Sequence, residues 1–375
     1  MTAPSKTHIS YLDSIRGLAA LSVINEHFVI AYGLPCQNLV CQAWLDAPPL
    51  NAWWNGTAAV SMFFVLSGLV LSLKYFRDSS TPDLQNLDLA TFLIARIFRI
   101  WLPYCVVLMI SALLYLLSVN HPPLATQLNA TEWITQMWRG HPLSPLAMLK
   151  EGLLLKLPAE VVLLPQAWTL TIELVLSMLL PVGLIVAARK TQWLVFFTLF
   201  AVLFLDVSIF LLHFLAGLLI ARYYLQISAY LSAKTALRRS LLLLGFSFYA
   251  SSTTLEDFIG DDGIWLASGL GAGLILLAVL GSNRLQQLLT LPILRLLGKV
   301  SYSAYLIHMA ILICLTPYLL IALETFTSNH FLLWLGGISL TILIVQGLSL
   351  VSFNYLEQPS VALGKRVTKL FQSKC

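Results

Sequence analysis

Residues 57–75 read TAAVSMFFVLSGLVLSLKY, an unbroken apolar run whose one charge, Lys74, stands near its end. An α-helix of about 20 apolar residues crosses a hydrocarbon core, and in lipid a helix satisfies its backbone N–H and C=O groups internally. The stretch therefore predicts a membrane-spanning helix. Working outward, similar runs recur at 12–30, 100–119, 167–187, 192–205, 207–225, 241–254, 263–280, 301–323 and 331–353, parted by polar, Gly or Pro residues. Together they predict an all-α integral membrane protein with about ten transmembrane helices. Asp206 alone divides 192–205 from 207–225, so those two should form a tight helical hairpin.

Composition points the same way. Of the 375 residues, 58% are hydrophobic and only 10% are charged, whereas soluble domains carry roughly a quarter charged residues. With a mean hydropathy of +0.83, a soluble globular enzyme is excluded. The alternating ten-residue segments of a transmembrane β-barrel and internal repeats are both absent, which leaves one helical domain over 1–375. A net charge of +5, scattered along the chain, does not make a nucleic-acid surface.

That charge bears instead on orientation. With the N-terminus in the cytoplasm, Lys74, Arg77, Arg96, Arg99, Arg189, Lys190, Arg222, Lys234, Arg238, Arg239, Arg284, Arg295, Lys299, Lys365, Arg366, Lys369 and Lys374 all fall inside, and only Arg139, Lys150 and Lys156 fall outside. The positive-inside bias then places both termini in the cytoplasm, 354–375 being a short basic tail. Asp13, Arg16, Glu26 and His27 interrupt the first run, which argues against a cleavable signal peptide. Cys36 and Cys41 lie in the first outside loop, where an oxidising compartment permits a disulfide. Residues 145–164, carrying Lys150, Glu151, Lys156 and Glu160, are too polar to span and predict an interfacial or re-entrant helix. Residues 285–299 predict an amphipathic piece along the opposite surface.

Ionisable residues inside spans are costly and face a bundle interior or a water-filled cavity. Arg16 and His27 are eleven residues apart, which aligns them to within about 20° on one helix face at a depth difference of roughly 16 Å. Arg16 can snorkel beside Asp13 and His27 can be a packing histidine; alternatively the two serve a buried reaction. Glu173 stands alone in WTLTIELVL, residues 168–176, where it can orient an imidazole or make a protonated helix–helix hydrogen bond. Ser301, Tyr305 and His308 share one polar stripe, suited either to helix association or to a site. Arg96 and Arg99, a turn apart before Pro103, suit phosphates as well as topology.

Taken in order, these pieces resemble the membrane acyltransferase 3 family, the multi-spanning enzymes that acylate surface polysaccharides and related acceptors. The resemblance rests on YLDSIRGLAA at 11–20 with His27, FFVLSGL at 63–69, RIFRIWLP at 96–103, Trp168 with Glu173, Gly298 through Ser301, Tyr302, Tyr305 and His308, and Glu357-Gln-Pro359. It implies transfer of an acyl group, commonly acetyl, from acyl-CoA to an acceptor hydroxyl. By matching position it makes His27 and Arg16 the essential pair and places Arg96 and Arg99 in the donor motif. Leu69 replaces the family's usual Phe, and Val175, Leu176 and Ser177 replace aromatic residues after Glu173.

The chemistry expected is then a general base at His27, oriented by Glu173, with Arg16 stabilising oxyanion charge or holding part of the CoA. An acyl-imidazole route through His27 is the alternative mechanism. Ser67, Trp168, Ser301, Tyr302, Tyr305 and His308 complete the expected substrate and acyl-CoA contacts. No metal and no permanently bound cofactor is expected; acyl-CoA, acetyl-CoA foremost, is the co-substrate. The expected partners are a carbohydrate or lipid-linked glycan and the bilayer of a bacterial inner membrane, with no nucleic acid. A secondary transporter or flippase for a polar molecule is the competing class, since intramembrane Arg, His and Glu also mark transport paths, and a scaffold that has lost catalysis is a third.

Overall fold

The computed structural model describes residues 9–36, 38–76, 82–84, 87–118, 124–128, 130–138, 143–155, 162–251 and 256–372. Arg77, Arg139, Lys156 and Lys374, used above for orientation, lie outside the described residues. Among those described, the ordered elements are helices: α1 Ser10–Tyr32, α2 Leu39–Asp46, α3 Gly56–Leu73, α4 Leu89–Ser118, α5 Glu132–Gln136, α6 Pro145–Gly152, α7 Ala167–Arg189, α8 Thr191–Phe204 and α9 Phe210–Arg222. There follow α10 Tyr224–Ser232, α11 Thr235–Ser251, α12 Glu256–Leu280, α13 Asn283–Leu289, α14 Pro292–Cys314, α15 Thr316–Glu324, α16 His330–Ser352 and, beyond a π-helical turn, α17 Gln358–Gln372.

Among the described residues, six helical stretches are long and apolar enough to cross a membrane, and the pair α9 and α10, bent by 73°, makes a seventh if counted as one broken span. Large apolar side chains stay exposed along α7, α8 and α16, among them Val182, Phe196, Phe204 and Leu343. In water such a surface would be unfavourable; against acyl chains it costs nothing.

Local chemistry sets where helices start. Asn55 accepts the amide N–H of Ala58, Asn329 that of Leu332 and Ser144 that of Ala147, each side chain satisfying an orphan donor of the first turn. Asp206 takes a positive φ of 52° in the short link between α8 and α9, a conformation that Asp tolerates.

Three expectations are corrected. The ninth run does not begin at Ser301: α14 starts at Pro292, whose missing N–H is harmless in a first turn, and passes straight through Arg295 and Lys299. It also stops at Cys314, because Pro317 cannot continue the backbone ladder, and residues 316–324 form the separate α15. The amphipathic piece expected at 285–299 is consequently divided between α13 and the first two turns of α14. Arg96 and Arg99 do not precede a span but lie within α4.

The basic tail is helical. α17 lies against the first half of α4, where Gly364 meets the Phe98 ring and Gln372 donates to Asp88 and Thr91. Cys36 and Cys41 form a disulfide. Of residues 145–164, expected to form an interfacial or re-entrant helix, Pro145–Gly152 are helical as α6, and 156–161 lie outside the described residues. The last carbonyls of α6 accept from Trp101 Nε1 and the Tyr104 hydroxyl halfway along α4, while its Glu151 carboxylate accepts the amides of Leu163 and Leu164.

One crossing positions the centre of the molecule. α1 and α14 run parallel and touch backbone to backbone: a Cβ built on Gly17 would lie 2.4 Å from the amide nitrogen of Gly298, and one on Gly298 would lie 2.4 Å from the Asp13 carbonyl oxygen. Small residues at a contact are what let two helices approach this closely. Ten residues further along each helix, the same register brings His27 against His308.

Candidate active site

The helix α1 carries two groups of polar side chains. At the far end from the N-terminus, the His27 Nδ1 lies 2.9 Å from its own-turn carbonyl of Val23 and 3.3 Å from His308 Nε2. The His308 Nδ1 in turn lies 2.7 Å from the Tyr305 carbonyl. A carbonyl only accepts, so the network assigns the proton to Nδ1 in both rings. His308 Nε2 is then an acceptor, and the His27 Nδ1–H is shared between it and Val23. The lone pair of His27 is left on Nε2, for which no partner occurs among the described residues. The indole of Trp133, from α5, stacks on the His27 ring at 5.7 Å and 21°.

His308 is fully buried, and its side of α14 is tied to the start of α7. The Tyr305 hydroxyl meets Thr169 Oγ1 at 2.7 Å and donates to the Gln166 carbonyl, and the Gln166 amide donates to the Leu306 carbonyl. Phe63 of α3 packs edge-on against the Tyr305 ring. Glu26, beside His27 in sequence, faces another way and accepts the Gly56 amide at the N-terminus of α3, where the helix dipole favours a carboxylate.

The other group lies two turns into α1. Arg16 donates to Asp13 at 3.0 Å, as its spacing suggested, and interacts electrostatically with Arg99 and Glu173. Arg96 is 6% exposed and interacts with Arg16, Arg99, Glu173 and Tyr302. Glu357, from the π-helical turn after α16, accepts from Ser303 at 3.0 Å and feels Arg99 and Arg16. The Tyr302 hydroxyl donates to the Ile100 carbonyl at 2.5 Å, clamping α14 to α4 between the arginines and Pro103. Arg99 is exposed at the edge of the cluster, and Arg96 makes no hydrogen bond among the described residues.

Helix-by-helix reading separates what the structure joins. Glu173 does not orient His27: its carboxylate accepts from Ser67 Oγ at 3.1 Å and belongs with the arginines, because the depth of a residue on its own helix does not determine which helix it faces. On α14, Tyr305 and His308 of the stripe go to His27, while Tyr302, beside the stripe, goes to the arginines. Ser301 merely bonds back to the Gly298 carbonyl in its own helix. Trp168, 44% exposed, packs with Phe210 and Trp265 instead of either group.

A family model described as an acyltransferase domain matches residues 9–350. The chain belongs to the acyltransferase 3 family. No curated protein and no solved structure matches it. Both polar groups fall within the acyltransferase domain except for Glu357, which follows it by one turn or two. The family and the apolar helices together make this a multi-pass membrane acyltransferase. Trp133 and Glu357 escaped the sequence reading as site residues. Glu357 was visible in the Glu357-Gln-Pro359 motif, whereas nothing in sequence pairs Trp133 with a histidine about a hundred residues earlier.

Proposed function

We propose that the protein moves an acyl group, acetyl foremost, from acyl-CoA to a hydroxyl of a carbohydrate or lipid-linked glycan of the cell envelope, from the inner membrane of a bacterium. The observation that carries this reading is the pair of unlike stations on α1. One holds an imidazole whose Nε2 lone pair has no partner among the described residues, the other a cluster of arginines in which Arg96 makes no hydrogen bond among the described residues. That leaves the donors of the Arg96 guanidinium for a ligand oxygen. The phosphates of CoA supply such oxygens, and planar guanidinium forks suit them.

His27 Nε2 takes the proton of the acceptor hydroxyl as that oxygen attacks the thioester carbonyl; the C–S bond then breaks and the CoA thiolate receives the proton. His308 holds the His27 ring in the tautomer this requires, and Trp133 offers an apolar face on which a sugar ring can lie. Glu173 and Glu357 balance the arginines. Both termini lie in the cytoplasm in this reading, with the arginine end of α1 facing acyl-CoA and the disulfide loop outside.

The test is CoA release from acetyl-CoA by the protein in its own membranes, followed by mass spectrometry of envelope glycans and lipids for a gain of one acetyl group. His27→Gln, inserted at normal level, should lose about 100-fold or more of the release, the scale of a general base. Full turnover by that variant would end the proposal.

A further inference from the structure

A second concentration of arginine surrounds a cavity of about 600 Å³ between the end of α10, the start of α11 and the link from α12 to α13. It is half open, and Thr235, Arg238, Arg239, Gly281, Ser282 and Arg284 are among the residues that line it. None of these belongs to the arginine group of α1. The volume falls within the range of small-ligand pockets, roughly 300–1,000 Å³.

The three arginines are not equivalent. Arg238 is spent on the protein: it donates to the carbonyls of Leu231 and Ser232 at 2.7 and 2.6 Å and to Thr235 Oγ1. Its stem passes over Gly281, where a Cβ would sit 2.9 Å from the Arg238 Cδ and 2.5 Å from the Leu231 Cβ, so a larger residue would displace it. The negative end of α12 is likewise closed, since Gln286 donates to the carbonyls of Val279 and Leu280 and Ser228 donates to Leu280. What remains open is positive. Arg239 and Arg284 are exposed, with no hydrogen bond or ion pair among the described residues, and Thr235 at the start of the 17-residue α11 lines the same cavity.

No counter-charge is close in sequence either. Between 207 and 255 and between 263 and 323 there is no Asp or Glu. Arginines placed only to orient a helix need no cavity and no fixed wall, yet here one arginine braces the wall against which two others stand free. α13 leads within a few residues into the arginine end of α14, so the cavity opens at the same end of the bundle as Arg16 and Arg96. Basic pockets at that level of a membrane protein suit phosphate-bearing headgroups.

We propose that this cavity binds a phosphate group, gripped by Arg239 and Arg284, at a site separate from the acyl donor's. A phosphodiester in an anionic phospholipid and a soluble phosphate offer the same oxygens, and the experiment distinguishes them. The full-length protein in detergent is titrated with dioleoyl-phosphatidylglycerol or dioleoyl-phosphatidylcholine, and bound lipid is counted by native mass spectrometry. The parent should retain the glycerol lipid preferentially. Arg284→Gln should weaken that retention about fivefold, and Arg239→Gln with Arg284→Gln about 25-fold. Lys365→Gln with Arg366→Gln, which removes equal charge from exposed positions of α17, should leave it unchanged. Displacement by excess inorganic phosphate assigns the site to soluble phosphates, and persistence assigns it to the lipid. Parental retention by the Arg239→Gln with Arg284→Gln variant, or equal loss in the α17 variant, overturns the proposal and leaves these arginines to topology.

Discussion

Replacing Gly298 by Ala tests whether the α1–α14 crossing sets the geometry of the histidine pair. The new Cβ would lie 2.4 Å from the Asp13 carbonyl oxygen, where ordinary contacts begin at 3.4 Å. Backbone on both sides leaves no side chain to swing away, so the helices must part by about 1 Å at a cost of roughly 1–3 kcal/mol. Carried along the parallel pair, the same displacement takes the His308 Nε2 to His27 Nδ1 separation from 3.3 Å beyond hydrogen-bonding reach. A misplacement of about 1 Å at a reacting group costs on the order of 100-fold in rate. The assay is CoA release in membranes holding the native acceptor, alongside thermal unfolding of the purified protein. Gly273→Ala is the matched control, because nothing lies within 4 Å of the Cβ it adds. Parental turnover by Gly298→Ala would show that the histidine pair does not depend on the crossing.

Arg96→Lys and Arg99→Lys keep the charge but lose the planar fork; each should weaken acyl-CoA binding by about 1–3 kcal/mol, read as a raised donor Michaelis constant. Unchanged donor constants in both would confine the pair to orientation. Glu173→Gln should alter the donor constant and leave the pH profile of kcat in place, since its carboxylate sits among the arginines; a shifted pH profile would return it to His27. At the surface, hydrogen bonds from Thr91 and Gln372 hold the Asp88 carboxyl down at about 2, below its ordinary 3.8. A carboxyl lowered by folding favours the docked state above its ordinary value and loses that preference as pH falls towards 2. Protease cleavage of α17 should therefore quicken between about pH 4 and 2 in the parent, and Asp88→Asn should be cleaved readily at neutral pH; a parent with no acid-dependent change contradicts this.

The helical, membrane-spanning character was legible because apolar run length is a property of each segment alone, and Arg16 beside Asp13 was legible because both sit on one turn. Partner choice between helices was not. Residues 57–75 announce a span but give no sign that Ser67 meets Glu173, and the second acceptor that shares the His27 Nδ1–H is a histidine 281 positions later. Gly17 and Gly298 read as ordinary small residues until their helices are laid together. The start of α14 was missed for a different reason: Arg295 and Lys299 lower the local hydropathy, but a helix interrupts its ladder for Pro, not for charge.

A helix braced along its length also measures. Arg16 and His27 are separated on α1 by a rise of about 16 Å, and the contact with α14 keeps that interval from stretching. In the proposed reaction α1 is a ruler with two marks, and a donor must reach both. Phosphates held at the first mark have to leave the reacting carbonyl at the second. An acyl phosphate, in which carbonyl carbon and phosphorus share one oxygen, falls short however well the arginines hold it. A thioester at the end of a long arm fits, so the enzyme would discriminate among activated acyl groups by length before any contact with the acyl group itself.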